Sequence, residues 1–471
     1  MDIQLLSKDA EAFIASLPKN APIDRKTIDQ LVVDLTSLKQ QLKIKTEEKK
    51  ETSSKFRKAK DDPEALASLK RKMQSISGEL KKLESNKQLL EQQILELCTQ
   101  VLPTKENEPE LPQQFLAQQY SKTATIPNEA IQIELVQDDG AQTWDEYVNS
   151  HSNACSYHRY AWRSIITNSF GHKSFYLLAK HENVVIGVLP FFWLKSRLFG
   201  SFGVSMPFFN YGGPLANNAS IAEYLMQAAA KIAKQNELAH LEIRTTNNGF
   251  SWPSESRKVS MILSLPKSSE LLDAGLGAKV RAQAKQADQY APSITFGKLD
   301  LLDDFYKVFS QNMRDLGTPV YGKSIFRNIL SHPSIDATLV VTYTQKKPVG
   351  AAFLIANREM MEIPWASTLK SANFMNINMW MYHRILHHCI EREFKFFDFG
   401  RSTKDAGTYK FKKQWGAQPV EHYWYSWRPD DAEAPSLNPD NPKFKLMIAT
   451  WKKLPLLIAN VIGPHIVKNL P

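Results

Sequence analysis

The spacing of apolar residues divides the chain into a helical first part and a mixed α/β second part. Between residues 66 and 101 apolar side chains recur at alternating steps of three and four, with Lys87 as the single break. This spacing is that of a heptad seam. Residues 28–42 keep the same alternation, and Pro63, which is tolerated only in a first helical turn, follows a turn between the two runs. The pattern predicts an all-α antiparallel coiled-coil hairpin, with helices of roughly 35 residues and a reach of about 50 Å.

A linker and a repeated α/β pattern follow this hairpin. Prolines among Gln and Glu mark a linker at 106–128. A helical stretch, two strands joined by a turn, an amphipathic helix and a further strand then occur twice, about 160 residues apart. This is the element order of the GNAT acyltransferase fold, and a chance similarity of two α/β segments is the alternative. We predict an α/β fold with tandem GNAT-like domains, in the order given by these ranges: arm 1–105, linker 106–128, first domain 129–265, second domain 266–430 and amphipathic tail 431–471.

Composition restricts the cellular setting more than the chemistry. The formal net charge of +10 favours an anionic partner. The three cysteines are scattered without metal-ligand spacing, so the sequence predicts neither a metal site nor a disulfide framework. We expect no signal peptide, and the apolar run at 184–194 is too short to span a membrane. The expected location is cytoplasmic, with peripheral contact to the inner face of the membrane as the further option.

Basic residues crowd the predicted tip of the hairpin. They are Lys43, Lys50, Lys55, Arg57, Lys58, Arg71 and Lys72. A solvated coiled-coil surface would explain them, and so would contact with phosphates. The opening stretch 1–6, the hairpin proportions and Leu102-Pro103 resemble the tRNA-binding arm of seryl-tRNA synthetases over about residues 1–105. The resemblance implies that the tip binds tRNA, with seryl-tRNA as the expected partner, and it ends beyond Pro103.

The densest candidate chemistry lies between residues 396 and 417. An apolar strand ends at Asp398 and delivers Arg401 to a loop at the carboxyl end of the strand, where ligands commonly bind. Lys410 and Lys412 follow among aromatic residues and would share one face if this stretch is a strand. A solvent-facing lysine pair is the alternative.

A second resemblance covers residues 130–430. The stretches 209–214, 312–319 and 398–417 resemble the FemABX family, specifically its FemAB-like members associated with exopolysaccharide and PEP-CTERM systems. The family has two GNAT-like domains and transfers an amino acid from aminoacyl-tRNA to an amine of a peptidoglycan precursor, without a cofactor. In the family a lysine of the stretch matching residues 411–413 stabilises the developing oxyanion. The resemblance therefore implies Lys412 as the catalytic residue, with its neighbour Lys413 as the alternative.

Candidate substrate-binding residues are polar, aromatic or small residues at strand ends and turns. They are Arg401, Lys410, Tyr409, Asp398, Trp365, Asn210, Tyr211, Gly212 and Gly213. Guanidinium and ammonium groups would clamp an anionic group of a substrate. The alternatives are a plain loop at 210–213, a core position for Trp365 and a turn cap for Asp398. A basic helical segment with Lys279, Arg281 and Lys285 could contact tRNA, or form a solvated face.

These patterns predict a tRNA-dependent aminoacyltransferase that passes an amino acid, with serine as the expected one, to an amine of a cell-wall or exopolysaccharide precursor. One alternative is an N-acyltransferase that uses another acyl donor in exopolysaccharide biosynthesis; another is a non-catalytic tRNA-binding protein. No coenzyme A phosphate loop follows either returning strand, which disfavours acetyl-CoA as the donor. The tail is rich in Trp, Leu and Lys, and could bind a membrane surface or dock on the domains.

Overall fold

The computed structural model describes residues 25–56, 63–99, 126–196, 200–429 and 442–470. The chain separates into two compact units, Met1–Pro109 and Glu110–Pro471. The opening stretch, the hairpin turn with Arg57 and Lys58, and most of the expected linker lie outside the described residues.

The first unit contains two long helices, α1 (Arg25–Phe56) and α2 (Pro63–Thr99). They pack side by side, with Lys45 Nζ 2.8 Å from Glu79 and Lys72 Nζ 3.4 Å from Glu48. Because residue numbers rise along one helix as they fall along the other, the pair is antiparallel. Apolar residues are buried along both helices. Lys45 interrupts the apolar seam of α1 and forms one ion pair within its own helix, with Glu48, and one across to α2, with Glu79.

The first half of the second unit alternates strands and helices. Its strands are β1 (Gln132–Leu135), β2 (Lys173–His181), β3 (Val184–Ser196), β4 (Gly200–Val204), β5 (Leu215–Ala216), β6 (His240–Thr245) and β7 (Ser254–Glu255). Its helices are α3 (Ala141–Ser150), α4 (Ala161–Phe170) and α5 (Ala219–Gln235). This is the expected order of a helix, a strand hairpin, a helix and a returning strand.

The second half repeats this order. Its strands are β8 (Lys258–Ser264), β9 (Ser293–Gly297), β10 (Asp336–Thr344), β11 (Lys347–Asn357), β12 (Met360–Thr368), β13 (Phe396–Thr403) and β14 (Gln418–Glu421). Its helices are α6 (Ser269–Gly275), α7 (Ala278–Gln286), α8 (Leu302–Leu316), α9 (Lys323–Ser331), α10 (Ile377–Glu391) and α11 (Gly407–Lys413). Strand β15 (Tyr423–Trp427) and helices α12 (Pro442–Trp451) and α13 (Leu456–Val467) complete the described chain.

The strands form two sheets that exchange elements near the expected domain boundary. The first sheet has the order β1-β2-β3-β4-β6-β15-β7, with β5 beside β3, and the second has the order β14-β8-β13-β12-β11-β10-β9. Strand β8 lies before residue 265 yet belongs to the second sheet, while β15 returns from the second half to pair with β6. The two halves are thus tied together by strands that each contributes to the other.

Each sheet has one parallel pair that anchors a loop region. In the first sheet β4 runs parallel to β6, and in the second β12 runs parallel to β13. The pairing of β12 with β13 ends at Glu362 and Asp398, after three register positions. Beyond this point the two strands continue with other neighbours. The end of a parallel pair leaves room for a ligand at the carboxyl ends of its strands.

A shared apolar core joins the two halves. Trp162 and Phe192 of the first half belong to the same buried cluster as Phe305, Phe326 and Phe353 of the second. Since burial of aromatic side chains is a large stabilising contribution, the halves behave as one folded unit. Every helix in the described ranges is too short or too polar to span a bilayer.

Candidate active site

Two carboxylates face each other where the parallel pair β12 and β13 ends. Glu362 and Asp398 are register partners in these strands, and both side chains are buried. Each acid is flanked by apolar residues that form the sheet core. Buried carboxylates are rare unless they are hydrogen-bonded or functional, so this pair is the natural centre of a candidate site.

Both carboxylates have fixed partners, and one oxygen is left over. Tyr157 donates its hydroxyl proton to Glu362 Oε1 at 2.7 Å. Asp398 Oδ1 accepts the backbone N–H of Gly400 at 2.8 Å, which is the turn-capping contact expected as an alternative for this residue. Asp398 Oδ2 is buried and makes no hydrogen bond of good geometry among the described residues, although the Ser260 hydroxyl lowers the pKa of Asp398 and Asp398 raises the pKa of the nearby Tyr211 phenol. Because an unpaired buried acceptor is costly and Asp398 is fully buried, this oxygen is the position in the pair where a further proton would be held.

Burial and mutual repulsion disfavour the charged form of this pair. Burial, reinforced by the negative charge of Asp398, raises the pKa of Glu362 well above its usual value. Burial also raises the pKa of Asp398, although the Gly400 N–H opposes the shift. Two carboxylates that share one buried site titrate as a pair. The pair therefore can hold a proton in the pH range where ordinary carboxylates are ionised.

Lys412 points into this cluster from α11. The stretch around it is a helix, so the strand interpretation of its lysines is wrong. Lys412 and Trp415 lie three positions apart and are both buried, as helical spacing allows. Only 7% of Lys412 is exposed, and its Nζ donates to the carbonyl oxygens of Gly400 and Arg401, each at 2.8 Å.

The pKa of Lys412 lies well below that of an ordinary lysine. Burial lowers the pKa of Lys412 to about 8, an effect opposed by the negative charge of Asp398 and reinforced by Arg401. An ammonium group carries three N–H donors, and the two carbonyls use two of them. At neutral pH the side chain can therefore present one charged donor beside the carboxylate pair.

The neighbouring lysines of α11 and its Tyr409 are placed differently. Lys410 and Lys413 are exposed, and Lys413 Nζ lies 6.0 Å from the ring centroid of the half-buried Tyr409. These three residues do not join the buried cluster around Lys412. As catalytic and binding candidates they remain predictions.

Arg401 belongs to a cationic group on the other side of β13. Its guanidinium lies 5.5 Å from the ring centroid of Trp424, and that of Arg244 lies 4.3 Å from the same ring. Arg244 is buried, pairs with Glu242 at 2.7 Å and donates to the carbonyl of Phe209 at 2.9 Å. No carboxylate partner of Arg401 is found in the described part of the chain. Arg401 is thus the cation of this group that remains for an external anion.

Arg401 lies close to other basic groups. The protein around its guanidinium and the charge of Arg244 lower the pKa of Arg401, which stays protonated. Burial, Arg401 and Arg244 together lower the pKa of His422 to about 3, so this imidazole is neutral. Lys258 donates to Thr403 Oγ1 at 2.8 Å, and burial and Arg401 lower its pKa.

The predicted loop at 210–213 lies between these two clusters. The phenol of Tyr211 is buried, and burial with the charges of Glu362 and Asp398 raises its pKa. Gly212 N–H donates to the Arg244 carbonyl at 3.2 Å, and Trp424 Nε1 donates to the Asn210 carbonyl at 3.2 Å.

Backbone packing explains the second glycine of this loop. A Cβ on Gly213 would lie 2.7 Å from the Arg244 carbonyl oxygen, so a side chain there requires the backbone to move. Hydrogen bonds and close backbone packing therefore fix this loop to the rest of the protein, as expected if residues 210–213 form a plain structural loop. Tyr211 is the member of the loop that faces the carboxylates.

A cavity of about 290 Å³ lies beside Tyr211, between the two halves of this unit. Its lining includes Cys155, His158, Ser260 and Arg358. Cys155 Sγ is 3.2 Å from His158 Nδ1, the spacing of a nucleophile and its base. Burial, however, raises the pKa of Cys155 to about 12 and lowers that of His158 to about 4. The pair is held in its uncharged forms and is a poor nucleophile.

The remaining predicted residues lie away from the carboxylate pair. Trp365 is half-buried in an aromatic cluster, 5.6 Å from Phe209 between ring centroids. Lys279 and Lys285 are exposed on α7, and Arg281 donates to the Asp273 carbonyl at 3.2 Å. Of the basic arm residues, those within the described helices are all exposed: Lys43, Lys50, Lys55, Arg71 and Lys72.

Sequence reasoning missed several residues of this region. They are Tyr157 and Glu362 beside the carboxylate pair, and Arg244, His422 and Trp424 around Arg401. A single acid inside the apolar run 360–363 was a usable signal for Glu362. Arg244 gave a similar signal near the end of an apolar strand. Their partners are distant in sequence, so the pattern alone did not connect them.

Comparison with known proteins supports the enzyme class. Residues 277–413 match the family described as "Acetyltransferase (GNAT) domain". That range contains Glu362, Asp398 and Lys412. A comparison with curated protein sequences finds no match.

Similar solved structures cover about two thirds of the chain. One described as "Crystal structure of FemX" shares 14% identity, with a TM-score of 0.48, 67% of this chain and 100% of that chain covered. The structure of L-PGS from Bacillus licheniformis shares 10% identity, with a TM-score of 0.42 and coverages of 70% and 98%. A tandem GNAT protein from the clavulanic acid biosynthesis pathway shares 10%, with a TM-score of 0.42 and coverages of 64% and 100%. The match of residues 277–413 to the acetyltransferase domain supports an acyltransferase.

Proposed function

We propose that this protein is a tRNA-dependent aminoacyltransferase. It transfers an amino acid, with serine as the expected one, from aminoacyl-tRNA to an amine of a cell-wall or exopolysaccharide precursor. The observation that carries the proposal is the buried ammonium of Lys412 beside Glu362 and Asp398, inside the GNAT domain. A cation and a proton acceptor are the two groups that aminolysis of an activated ester requires.

The reaction itself is a simple exchange of bonds. The acceptor amine attacks the ester carbonyl, a C–N bond forms, and the C–O bond to the tRNA ribose breaks. The amine proton passes to the carboxylate pair and then to the departing ribose oxygen. Asp398 Oδ2, which makes no hydrogen bond of good geometry among the described residues, is the proposed acceptor of that proton. The charge of Lys412 opposes the negative charge that builds on the carbonyl oxygen.

Lys412 is the proposed catalytic lysine, and Lys413 is not. Lys413 is exposed and lies over the Tyr409 ring, whereas Lys412 is buried and fixed by two carbonyls. A fixed charge in a site that excludes water acts more strongly on a developing charge than a solvated one.

The cationic group around Arg401 supports an anionic substrate. Arg401 and Lys258 lie near Trp424 and Thr403, so a phosphate could meet a cation and a base could stack on an indole. Both the tRNA acceptor end and a precursor diphosphate have this chemistry. Arg401 is the proposed clamp.

The arm supports tRNA as the carrier of the donor. Lys43, Lys50 and Arg71 are exposed, and no ion pair is found for them within the described helices. Lys55 and Lys72 are paired with Glu51 and Glu48. Unpaired surface cations on an extended helix pair suit contact with a phosphate backbone. Lys279 and Lys285 on α7 are proposed as further tRNA contacts.

The tail supports peripheral contact with a membrane. Helix α13 packs on the unit through Ala459 and Gly463, which are buried. Its opposite face leaves Leu457 81% and Val461 67% exposed. Lys452 lies in the exposed turn between α12 and α13, and an apolar face flanked by lysine suits an anionic lipid surface. We propose a cytoplasmic protein that touches the membrane carrying its acceptor precursor.

A donor screen tests the proposal. The full chain is incubated with a mixture of radiolabelled aminoacyl-tRNAs and a cell extract, and the label that moves to an acceptor is identified. We expect serine to move, and we expect a triple variant with Lys43, Lys50 and Arg71 changed to Glu to lose this transfer at low donor concentration. Turnover with an acyl-CoA alone would favour the other acyl-donor function. Tight tRNA binding without transfer to any amine would favour the non-catalytic alternative.

A further inference from the structure

Three metal-ligating side chains converge on the outer surface of the second half. Asp273 lies on α6, and His383 and His387 lie one turn apart on α10. His383 Nε2 is 2.6 Å from Asp273 Oδ1, and His387 Nε2 is 3.1 Å from the same oxygen. One potential ligand atom from each residue lies within 4.8 Å of the others. Spacing of four along a helix places both imidazoles on one face.

The cluster is reachable from solvent. The side chains of His383, His387 and Asp273 are 15%, 17% and 41% exposed. A metal ion can therefore reach all three side chains without a rearrangement of the two helices.

We propose that Asp273, His383 and His387 form a binding site for a divalent transition-metal ion of the zinc type. Two imidazole nitrogens and one carboxylate favour Zn²⁺, Co²⁺ or Ni²⁺ over Mg²⁺ and Ca²⁺, which prefer oxygen ligands. With bonds of about 2.0–2.1 Å, tetrahedral ligand atoms lie about 3.3 Å apart. The observed separations of 2.6 and 3.1 Å require the side chains to open by less than about 1 Å.

The position of the site indicates a role in holding the second half together. Helix α6 follows β8, and α10 leads into β13, which carries Asp398. Tyr382, next to His383, stacks on Phe399 with ring centroids 5.4 Å apart. A bound ion would fix α10 against α6 and so support this contact. The cluster shares no residue with the carboxylate pair, so the inference stands whether or not the proposed transfer reaction is correct.

Metal titration of the full chain tests the site. The protein is stripped with a chelator, Zn²⁺ binding is measured by calorimetry, and Co²⁺ is used as a visible probe of coordination. We expect one ion per chain, a thermal midpoint that rises with Zn²⁺, and a Co²⁺ spectrum of low coordination number. Asp273→Asn, His383→Gln and His387→Gln should each weaken binding at least about tenfold, as loss of one of three protein ligands would.

Two histidines provide matched controls. His388 lies on the same helix but stacks on Phe296, and His465 is exposed on α13. His388→Gln and His465→Gln should leave Zn²⁺ affinity unchanged. Circular dichroism and the thermal midpoint in chelator show whether each variant folds. Equal Zn²⁺ affinity in His383→Gln and His465→Gln would overturn the proposal. If the variants lose as much stability in chelator as in Zn²⁺, the cluster is only a hydrogen-bonded contact between two helices. This outcome would also overturn the proposal.

Discussion

The two parallel strand pairs have the same geometry and opposite chemistry. In the first sheet Val204 is the register partner of Glu242; at the same step of the second sheet Glu362 is the partner of Asp398. Two residues further along, β6 has a buried arginine, Arg244, where β13 has Gly400. The arginine pairs with Glu242 and donates a hydrogen bond to the Phe209 carbonyl. Gly400 has no side chain, and its carbonyl accepts a hydrogen bond from the Lys412 ammonium.

This difference separates a structural position from a chemical one. In the first pair the acid is neutralised by a neighbour on its own strand, and the loop at 205–213 closes over the end of the strands. In the second pair two acids are buried together, and their cation comes from a separate helix. A charge network that is complete within one strand stabilises the fold, whereas one assembled from three elements with an oxygen left over is suited to moving a proton. Each prediction below tests one side of this contrast.

The largest expected effect follows from neutralising the acids of the second pair. Glu362→Gln and Asp398→Asn keep the shape and the hydrogen bonds to Tyr157 and Gly400 but remove the proton acceptor. We expect kcat to fall by about 10²–10⁴ for the residue that acts as the base. Glu359, which forms an exposed ion pair with Lys395, provides the control. Glu359→Gln should leave kcat unchanged. Full activity in both acid variants would rule out the carboxylate pair as the base.

Removing the arginine of the first pair should instead cost stability. Arg244→Met leaves Glu242 and the Phe209 carbonyl without their partner, so we expect a loss of about 3 kcal/mol in the free energy of unfolding. Arg257→Met breaks the surface pair with Glu255 and should cost under about 1 kcal/mol. Urea unfolding measures both. If the two variants lose equal stability, Arg244 is not the structural cation that the comparison requires.

Gly400 tests the shape of the second pair. Its φ of +74° lies in the left-handed region, and a Cβ there would be 3.0 Å from the Ile363 carbonyl oxygen. We expect Gly400→Ala to cost about 1–2 kcal/mol, and to reduce transfer because the Gly400 carbonyl positions Lys412. Gly407→Ala, whose Cβ would meet nothing within 4 Å, is the matched control. Thermal unfolding measures the stability of both variants, and single-turnover transfer measures their activity. Equal stability and equal transfer in Gly400→Ala and Gly407→Ala would contradict this role of Gly400.

The smallest effects concern individual charges of the arm. Lys50→Ala and Arg71→Ala should each weaken tRNA binding slightly and lower the slope of log affinity against log salt by about one. Lys298→Ala, an exposed lysine of the second unit, should leave this slope unchanged. Filter binding at several salt concentrations gives the slopes. Identical slopes in all three variants would favour a solvated surface over a tRNA contact.

The sequence predicted elements better than their pairing. The apolar run at 184–194 lies within β3 (Val184–Ser196), and the apolar strand predicted to end at Asp398 is part of β13 (Phe396–Thr403). The return of β15 to the first sheet was not predicted, because strand pairing over such separations leaves no local pattern. Lys410 and Lys412 looked like alternate residues of a strand, since a seven-residue stretch fits either period.

The candidate site shows the same limit. Asp398 and Lys412 were found because they stand in one dense segment of the sequence. Glu362 was missed because its relation to Asp398 arises only from the register of β12 and β13. The His383 and His387 spacing was visible, but the ligand that gives it meaning, Asp273, lies on another helix. Candidate residues that stand close together in the sequence can be recognised from it. A cluster that forms only through strand pairing cannot.

The pH dependence of transfer in Lys412→Met and Lys413→Met tests the central claim most directly. If Lys412 supplies the charge, wild-type single-turnover transfer should rise as the carboxylate pair ionises and fall above pH of about 8, because the pKa of Lys412 is lowered to about 8. Lys412→Met should lose about 10²–10³ in rate, while Lys413→Met keeps both the rate and the alkaline fall. Undiminished transfer by Lys412→Met, with the alkaline fall intact, would contradict the account.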